Sequence, residues 1–156
     1  MMWNDEESGK KMAFLTKLFP PGADLTDAYA VRTVVFVNEQ GFSPTLEIDA
    51  IDKTAYHIVL FDGPKPVATG RVFPDAADKS TFIIGRVAVL RRYRSQGLGY
   101  HLMGKLEECA KSLGGARVVL GAQRRAEDFY AKNGYTPFGE EYDEEDCPHI
   151  HMEKKL

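Results

Sequence analysis

The stretch Val87-Ala88-Val89-Leu90-Arg91-Arg92-Tyr93-Arg94-Ser95-Gln96-Gly97-Leu98-Gly99-Tyr100-His101-Leu102 constrains this chain more than any other. Apolar, β-branched residues run up to Leu90 and predict a buried strand. Helical spacing takes over at Leu98, with Leu102, Leu106, Cys109, Ala110 and Leu113 following at steps of three or four. Between them lies a turn carrying two glycines and the cations Arg91, Arg92 and Arg94. A glycine turn that opens a helix presents backbone N–H groups with no intrahelical partner at the positive end of the helix dipole. That combination binds anions. Glycine has no Cβ, so a phosphate can approach the main chain.

Two common nucleotide motifs fail here. A dinucleotide fingerprint needs Gly or Ala where Leu102 stands. A P-loop needs Ser or Thr where Leu106 follows Gly99 to Lys105, and those residues lie within the helix rather than before it.

The rest of the chain alternates strands and helices. Ala13 to Phe19 reads as a strand stopped by Pro20-Pro21-Gly22, and Asp24 or Thr26 can cap a helix over Asp27 to Val37. Residues 38–52 are irregular and acidic. Tyr56 to Phe61 and Val67 to Phe73 form a hairpin about Asp62-Gly63-Pro64, and Thr81 to Leu90 leads into the arginine turn. After the helix Gly97 to Leu113 come a strand (Arg117 to Ala122) and a short helix (Arg125 to Lys132). Two last strands, Tyr135 to Tyr142 and His149 to Glu153, are joined by an acidic segment. Short turns between several strands predict a mixed sheet, so the fold class is α/β of the α+β type.

The 156 residues, 44% hydrophobic and 28% charged, predict one soluble domain over residues 13–156. No apolar run reaches the ~18 residues of a membrane span. Residues 1–12 are polar, lack the apolar core of a signal peptide, and are expected to be partly disordered. Two cysteines, Cys109 and Cys147, make no disulfide framework, so a cytoplasmic setting is expected. A net charge of −3 argues against nucleic acid as a partner. Glu140, Glu141, Asp143, Glu144, Glu145 and Asp146 alone are enough to set its sign.

Arg94-x-x-Gly97-x-Gly99, after a Val-Ala-Val strand and opening a helix, resembles the acetyl-CoA signature of the GNAT family of N-acetyltransferases. Phe129-Tyr130-x-x-x-Gly134-Tyr135 is similar to that family's second CoA-contacting segment. Val35 to Gly41, Glu47-Ile48-Asp49, Asp52, His57, Ala122-Gln123 and Pro148-His149-Ile150 resemble the ElaA-type branch. Asp146-Cys147-Pro148-His149 is shorter there than the branch's usual Asp-Gly-Ile-Pro-His. The resemblance implies a mostly antiparallel sheet of about six or seven strands with about four helices, splayed between its fourth and fifth strands.

It also implies acetyl-CoA as the acetyl donor, an amine as acceptor, and no metal. Backbone groups of Val87, Ala88 and Val89 would pair with the pantetheine arm, and the N–H near Val89 would stabilise the oxyanion. Residues Arg94, Ser95, Gln96, Gly97, Leu98, Gly99 and Tyr100 would hold the pyrophosphate. Gln123 would contact pantetheine, and Tyr130 would protonate the leaving thiolate. Each has a plainer alternative: a tight turn at Gly97 and Gly99, a core aromatic at Tyr130, a strand-end residue at Gln123.

Glu39, Glu47, Asp49, His57 and His149 are candidates for amine binding or general base, with Glu39 and His149 foremost. An alkyl amine of pKa about 10.4 is only about 0.04% neutral at pH 7, a deficit of about 4.6 kcal/mol, so such a substrate needs help losing its proton. His57 in an apolar strand also reads as a core histidine. Cys147, His149 and His151 alternate as metal ligands on a strand would, but Pro148 interrupts them and no fourth ligand is evident. The acidic segment 140–146 reads first as a solvated loop, with attraction of a cationic acceptor as the alternative. Membrane binding is not expected and a homodimer stays open. The leading reading is acetyl transfer to a primary amine of a small molecule or peptide by direct attack in a ternary complex. Its competitors are a non-catalytic acyl-CoA-binding module and a nucleotide-binding protein.

Overall fold

Two runs of continuous burial mark the interior strands: His57 to Phe61, and Val67 to Val72. A strand buried on both faces reads as a near-continuous apolar run, and these do apart from His57, Thr69 and Arg71, each of which is hydrogen-bonded. The computed structural model describes residues 2–5, 12–44 and 48–156, with side chains over 14–44 and 48–156. The chain falls into two compact units. One comprises Met1–Arg71 and Arg86–Leu106; the other comprises Val72–Gly85 and Glu107–Leu156. Strands β4 and β5 contribute to both.

In the first unit the hydrogen-bonded order is β1 (Met2–Asp5), β2 (Met12–Phe19), β3 (Tyr56–Asp62), β4 (Lys65–Pro74) and β5 (Thr81–Val89). Strand β1 runs antiparallel to β2, from Met2↔Leu15 to Asp5↔Met12. Within the N-terminal segment, residues 2–5 form this strand. Strand β2 runs antiparallel to β3, from Phe14↔Asp62 to Phe19↔His57.

Helix α1 (Thr26–Arg32) starts where Asp24 accepts hydrogen bonds from the Thr26 amide (2.9 Å) and hydroxyl (2.6 Å). It does not continue to Val37 as an α-helix. Residues Thr33–Glu39 form a π-helix, closed by Gln40 N–H on Val35 O at 3.1 Å. The β-branched run Thr33-Val34-Val35 resists α-helical packing of its side chains, and the extra residue per turn relieves that crowding. Val31, Val35, Phe36 and Ala88 form one apolar cluster; Ala28, Val59 and Phe61 form another.

In the second unit the order is β5, β6 (Arg117–Gln123), β8 (Cys147–Lys155) and β7 (Thr136–Glu144). Strands β5 and β6 are parallel, and their register runs from Thr81↔Arg117 to Ile83↔Val119 although β5 continues to Val89 and β6 to Gln123. This parallel pair corresponds to the family's fourth and fifth strands; β1 displaces the count by one. Among the described residues the sheet has eight strands, above the expected six or seven, and three α-helices have both ends defined: α1, α2 (Leu98–Ser112) and α3 (Glu127–Lys132). Thr33–Glu39 is a π-helix, and Ala50–Lys53, Arg91–Tyr93 and Arg124–Ala126 are 3-10 turns.

The acidic segment is not a loop. Glu140 to Glu144 lie in β7, and only Glu145 and Asp146 form the turn, both left-handed at φ 49° and 61°. Strand β7 ends the order and is exposed almost throughout, which explains its charge: an edge strand lined with carboxylates resists pairing with another chain. On its partner face Phe138, His151, Tyr142 and His149 stack in a column, with centroid separations of 5.7, 4.6 and 5.5 Å. The Tyr142 hydroxyl fills the space where a side chain at Gly121 would begin.

Candidate active site

The arginine turn folds as its chemistry predicts. Leu90 N–H donates to Val67 O at 2.9 Å, which fixes the end of β5 against β4. A 3-10 turn follows at Arg91–Tyr93, and the chain then passes through left-handed conformations at Ser95 (φ 61°) and Gly97 (φ 82°) before α2 begins at Leu98. Gly97 is required by this geometry, since a side chain at positive φ is strained. Alternating handedness turns successive amides toward one side, and the fifteen-residue α2 adds its positive end. The donor set suits a polyanion. The amide oxygen of Gln96 is buried with no hydrogen-bond partner among the described residues, although its Nε2 donates to Arg92 O at 3.1 Å. Ser95 and Tyr100 are exposed, and Gly99 lies in the first turn of α2.

Arg94 is a strut rather than a loose cation. Its Nε donates to Val89 O at 2.9 Å, and its two terminal nitrogens grip Glu39 at 2.7 and 2.8 Å. Arg91 approaches the same carboxylate at 3.4 Å. Hydrogen bonding from Arg94 holds the Glu39 carboxyl below its ordinary pKa, despite partial desolvation. Glu39, expected on the acceptor side, is therefore placed with the anion-binding turn. A carboxylate held ionised this firmly is a weak proton acceptor.

The other acceptor-side candidates form a buried charge network in the first unit. Asp52 is bidentate with Arg32 (2.8 and 3.1 Å) and also accepts from Arg71 at 2.9 Å. Asp49 is bidentate with Arg71 (2.7 and 3.0 Å) and meets Arg86 at 3.3 Å. Burial opposes ionisation of Asp52, but the arginines outweigh it and its carboxyl is held below the usual range. His57 Nε2 donates to Asp52 O at 3.1 Å, and burial keeps the ring neutral. It is a satisfied core histidine. Glu47 lies outside the described residues.

The second unit holds the remaining candidates. Gln123 ends β6 in register with His149 on β8, and its amide oxygen accepts from Arg125 at 2.6 Å. His149 is buried, its Nδ1 donating to Cys147 O at 2.7 Å and its Nε2 lying 3.3 Å from Glu144. Both ring nitrogens thus face acceptors. Among the described residues no His, Cys, Asp and Glu side chains converge as a metal site. Tyr130, on α3, is buried edge-on against Phe129 and Tyr135 at 5.0 and 6.0 Å. Burial raises its pKa, so the phenol stays protonated and is available as a proton donor. Tyr135 donates to Glu107 at 2.7 Å, and Lys154 reaches the same carboxylate at 2.9 Å.

Sequence reasoning missed Arg32, Arg71, Arg86 and Glu107 as contributors. The signal for the first two was present: an arginine inside an apolar helix face or a buried strand must find carboxylates. Among the described residues no helix is long and apolar enough to cross a membrane.

Comparison with known proteins agrees with this geometry. The chain is 39% identical over 132 residues to the N-acetyltransferase YjcF of Bacillus subtilis, covering 83% of this chain and 91% of that one. It is 36% identical over 129 residues to ElaA of Escherichia coli, covering 81% and 84%. The crystal structure of ElaA superposes with a TM-score of 0.80 over 90% of this chain and 99% of that one. An acyl-CoA N-acyltransferase from Pseudomonas aeruginosa, 30% identical, superposes with a TM-score of 0.78 over 90% and 99%. A glycine turn built for a polyanion, a parallel pair of β5 with β6, and a match of residues 27–156 to the acetyltransferase (GNAT) domain lead to one conclusion: the chain belongs to the GNAT family, as an N-acetyltransferase.

Proposed function

We propose that this protein transfers the acetyl group of acetyl-CoA to a primary amine of a small molecule or peptide, by direct attack in a ternary complex. The observation that carries the donor half is the turn from Arg94 to Gly99, with left-handed Ser95 and Gly97 leading into α2. Its backbone N–H groups receive the pyrophosphate, and Arg94, tied to Val89 O and Glu39, keeps the turn in place. Val87, Ala88 and Val89 offer main-chain groups to the pantetheine amides.

In the reaction the neutral amine nitrogen attacks the thioester carbonyl carbon, forming the C–N bond and an oxyanion that the Val89 N–H stabilises. The C–S bond then breaks. The departing thiolate takes the phenolic proton of Tyr130, and the acetylated nitrogen releases one proton toward solvent or a base. The acid role of Tyr130 is supported by its place in Phe129-Tyr130-x-x-x-Gly134-Tyr135, which resembles the family's second CoA-contacting segment; burial raises the phenol's pKa, so the proton must move in step with departure of the thiolate. Gln123 is assigned to the pantetheine side. His149 is the group assigned to the acceptor, while Glu39, held ionised by Arg94, serves the anion-binding turn, and the amine's own pKa decides whether a base is needed. The free thiols Cys109 and Cys147 fit work in the reducing cytoplasm.

One observation favours the second reading, a non-catalytic acyl-CoA-binding module: Glu39 and His149 are both already engaged. Thermal-shift titration with acetyl-CoA, CoA and ATP, followed by thiol release across an amine panel, separates the readings. Stabilisation by CoA with thiol release supports the enzyme. Stabilisation without release from any amine supports the module, and a response to ATP alone sinks both.

A further inference from the structure

Arg86 lies in the middle of β5 with φ 53°, a conformation that L side chains rarely adopt and that persists only where the surroundings enforce it. Its effect on the strand is visible in the packing. Phe82 stands against Gly115, just past α2, while Val87 and Leu106 of α2 both stand over Gly70. Strict alternation would put residues five apart on opposite faces, so the strand slips by one residue between them. Ala88 consequently joins the cluster of Val31, Val35 and Phe36. The bulge thus sets which way the backbone groups of residues 87–89 point.

One side chain reaches both Arg86 and the strand beside it. Asp49 accepts two hydrogen bonds from Arg71 of β4 at 2.7 and 3.0 Å, and its Oδ2 lies 3.3 Å from the Arg86 guanidinium. Asp49 is itself anchored. It accepts from Ile51 N–H at 3.1 Å, while its own N–H donates to Asp52 Oδ2 at 3.4 Å. Asp52 is in turn held by Arg32 and Arg71. Charges of alternating sign therefore run Arg32, Asp52, Arg71, Asp49, Arg86 and end on the strained residue.

We propose that Asp49 is a positioning residue for the acyl-CoA strand: through Arg86 it holds the β5 bulge that orients the main chain of Val87–Val89. The proposal rests on the reading of Val87–Val89 as the pantetheine-binding segment. Asp49 is assigned no contact with the substrate. It acts on a backbone torsion, and this distinguishes it from a residue that merely stabilises the fold.

The test uses Asp49→Asn, Arg86→Ala and Arg86→Gly, with binding of coenzyme A by calorimetry and amide exchange of the peptide spanning residues 84–90. Alanine and glycine both remove the guanidinium charge, but only glycine adopts positive φ without strain. Asp49→Asn and Arg86→Ala are each expected to weaken coenzyme A about tenfold and to speed exchange at residues 87–89 about fivefold. Arg86→Gly should stay within about threefold of the parent on both measures, and Asp49→Asn should add nothing in the Arg86→Gly background. Equal losses in Arg86→Ala and Arg86→Gly, or an unchanged penalty for Asp49→Asn in the glycine background, overturn the proposal. If the parent protein fails to bind coenzyme A, the reading of residues 87–89 falls. The exchange data then still decide whether Asp49 holds the bulge.

Discussion

Two arginine–carboxylate pairs in the first unit share one bidentate geometry and serve opposite ends. Arg32 and Asp52 are each 1% exposed, in a network that also takes in Arg71, Tyr29 and His57. Arg94 and Glu39 are 37% and 20% exposed, with Arg91 as a second cation. Burial makes the first pair irreplaceable, because either partner alone would be a charge without water. Solvent makes the second pair adjustable, since water or a phosphate can take up whatever one partner releases. The fold invests its fixed electrostatics in the network under the sheet, and keeps the anion-binding turn within reach of incoming charge.

Breaking the buried pair should have the largest effect. Asp52→Ala strands Arg32 and Arg71 together and should cost about 3–5 kcal/mol in urea unfolding. Because the Asp52 carboxyl is depressed in the folded state, its contribution is present above the unfolded pKa of about 3.9 and disappears as pH falls through the lower folded value. The parent should lose stability in acid with a slope that Asp52→Asn reduces; identical pH profiles would refute the assignment.

On the adjustable side, Gly97→Val places a β-branched residue at φ 82° and should weaken coenzyme A by about 100-fold or more while the protein still folds. Tyr130→Phe should lower kcat by about 100-fold with KM for acetyl-CoA within about twofold. Unchanged turnover would return Tyr130 to the role of a core aromatic. Glu39→Gln should have the smallest effect, shifting stability by less than about 1 kcal/mol. By removing a competing anion it should tighten coenzyme A a few-fold at low salt, an advantage that vanishes as salt screens the turn. Weaker binding in this variant would mean that Glu39 serves chiefly to hold Arg94 in place.

What the sequence makes legible is what it writes contiguously. Strand, turn and helix from Val87 to Leu102 are set by neighbours a few residues apart, and the left-handed Gly97 sits where the motif requires it. Glu39 and Arg94 are separated by 55 positions, so nothing local announces their pairing. The same holds for Asp49 with Arg71 and Arg86. Helix α1 was legible, but its conversion to a π-helix at Thr33 depends on how Val35 and Phe36 seat against Ala88. The carboxylates of residues 140–144 mimic a solvated loop because an edge strand with little to bury has nearly the same composition. The pairing of β1 with β2 rests on backbone hydrogen bonds, and four residues, Met2-Trp3-Asn4-Asp5, are too few to show a strand period.

The ring column over β6 carries a consequence for how this sequence can change. The Tyr142 hydroxyl and a Cβ at Gly121 are rival tenants of one volume, whereas the ring carbon behind that hydroxyl lies 3.7 Å away, at ordinary contact distance. Residues 121 and 142 are therefore a linked pair. Drift toward alanine at the first is open only to chains that have already lost the oxygen at the second, so the order of the two substitutions is fixed by geometry.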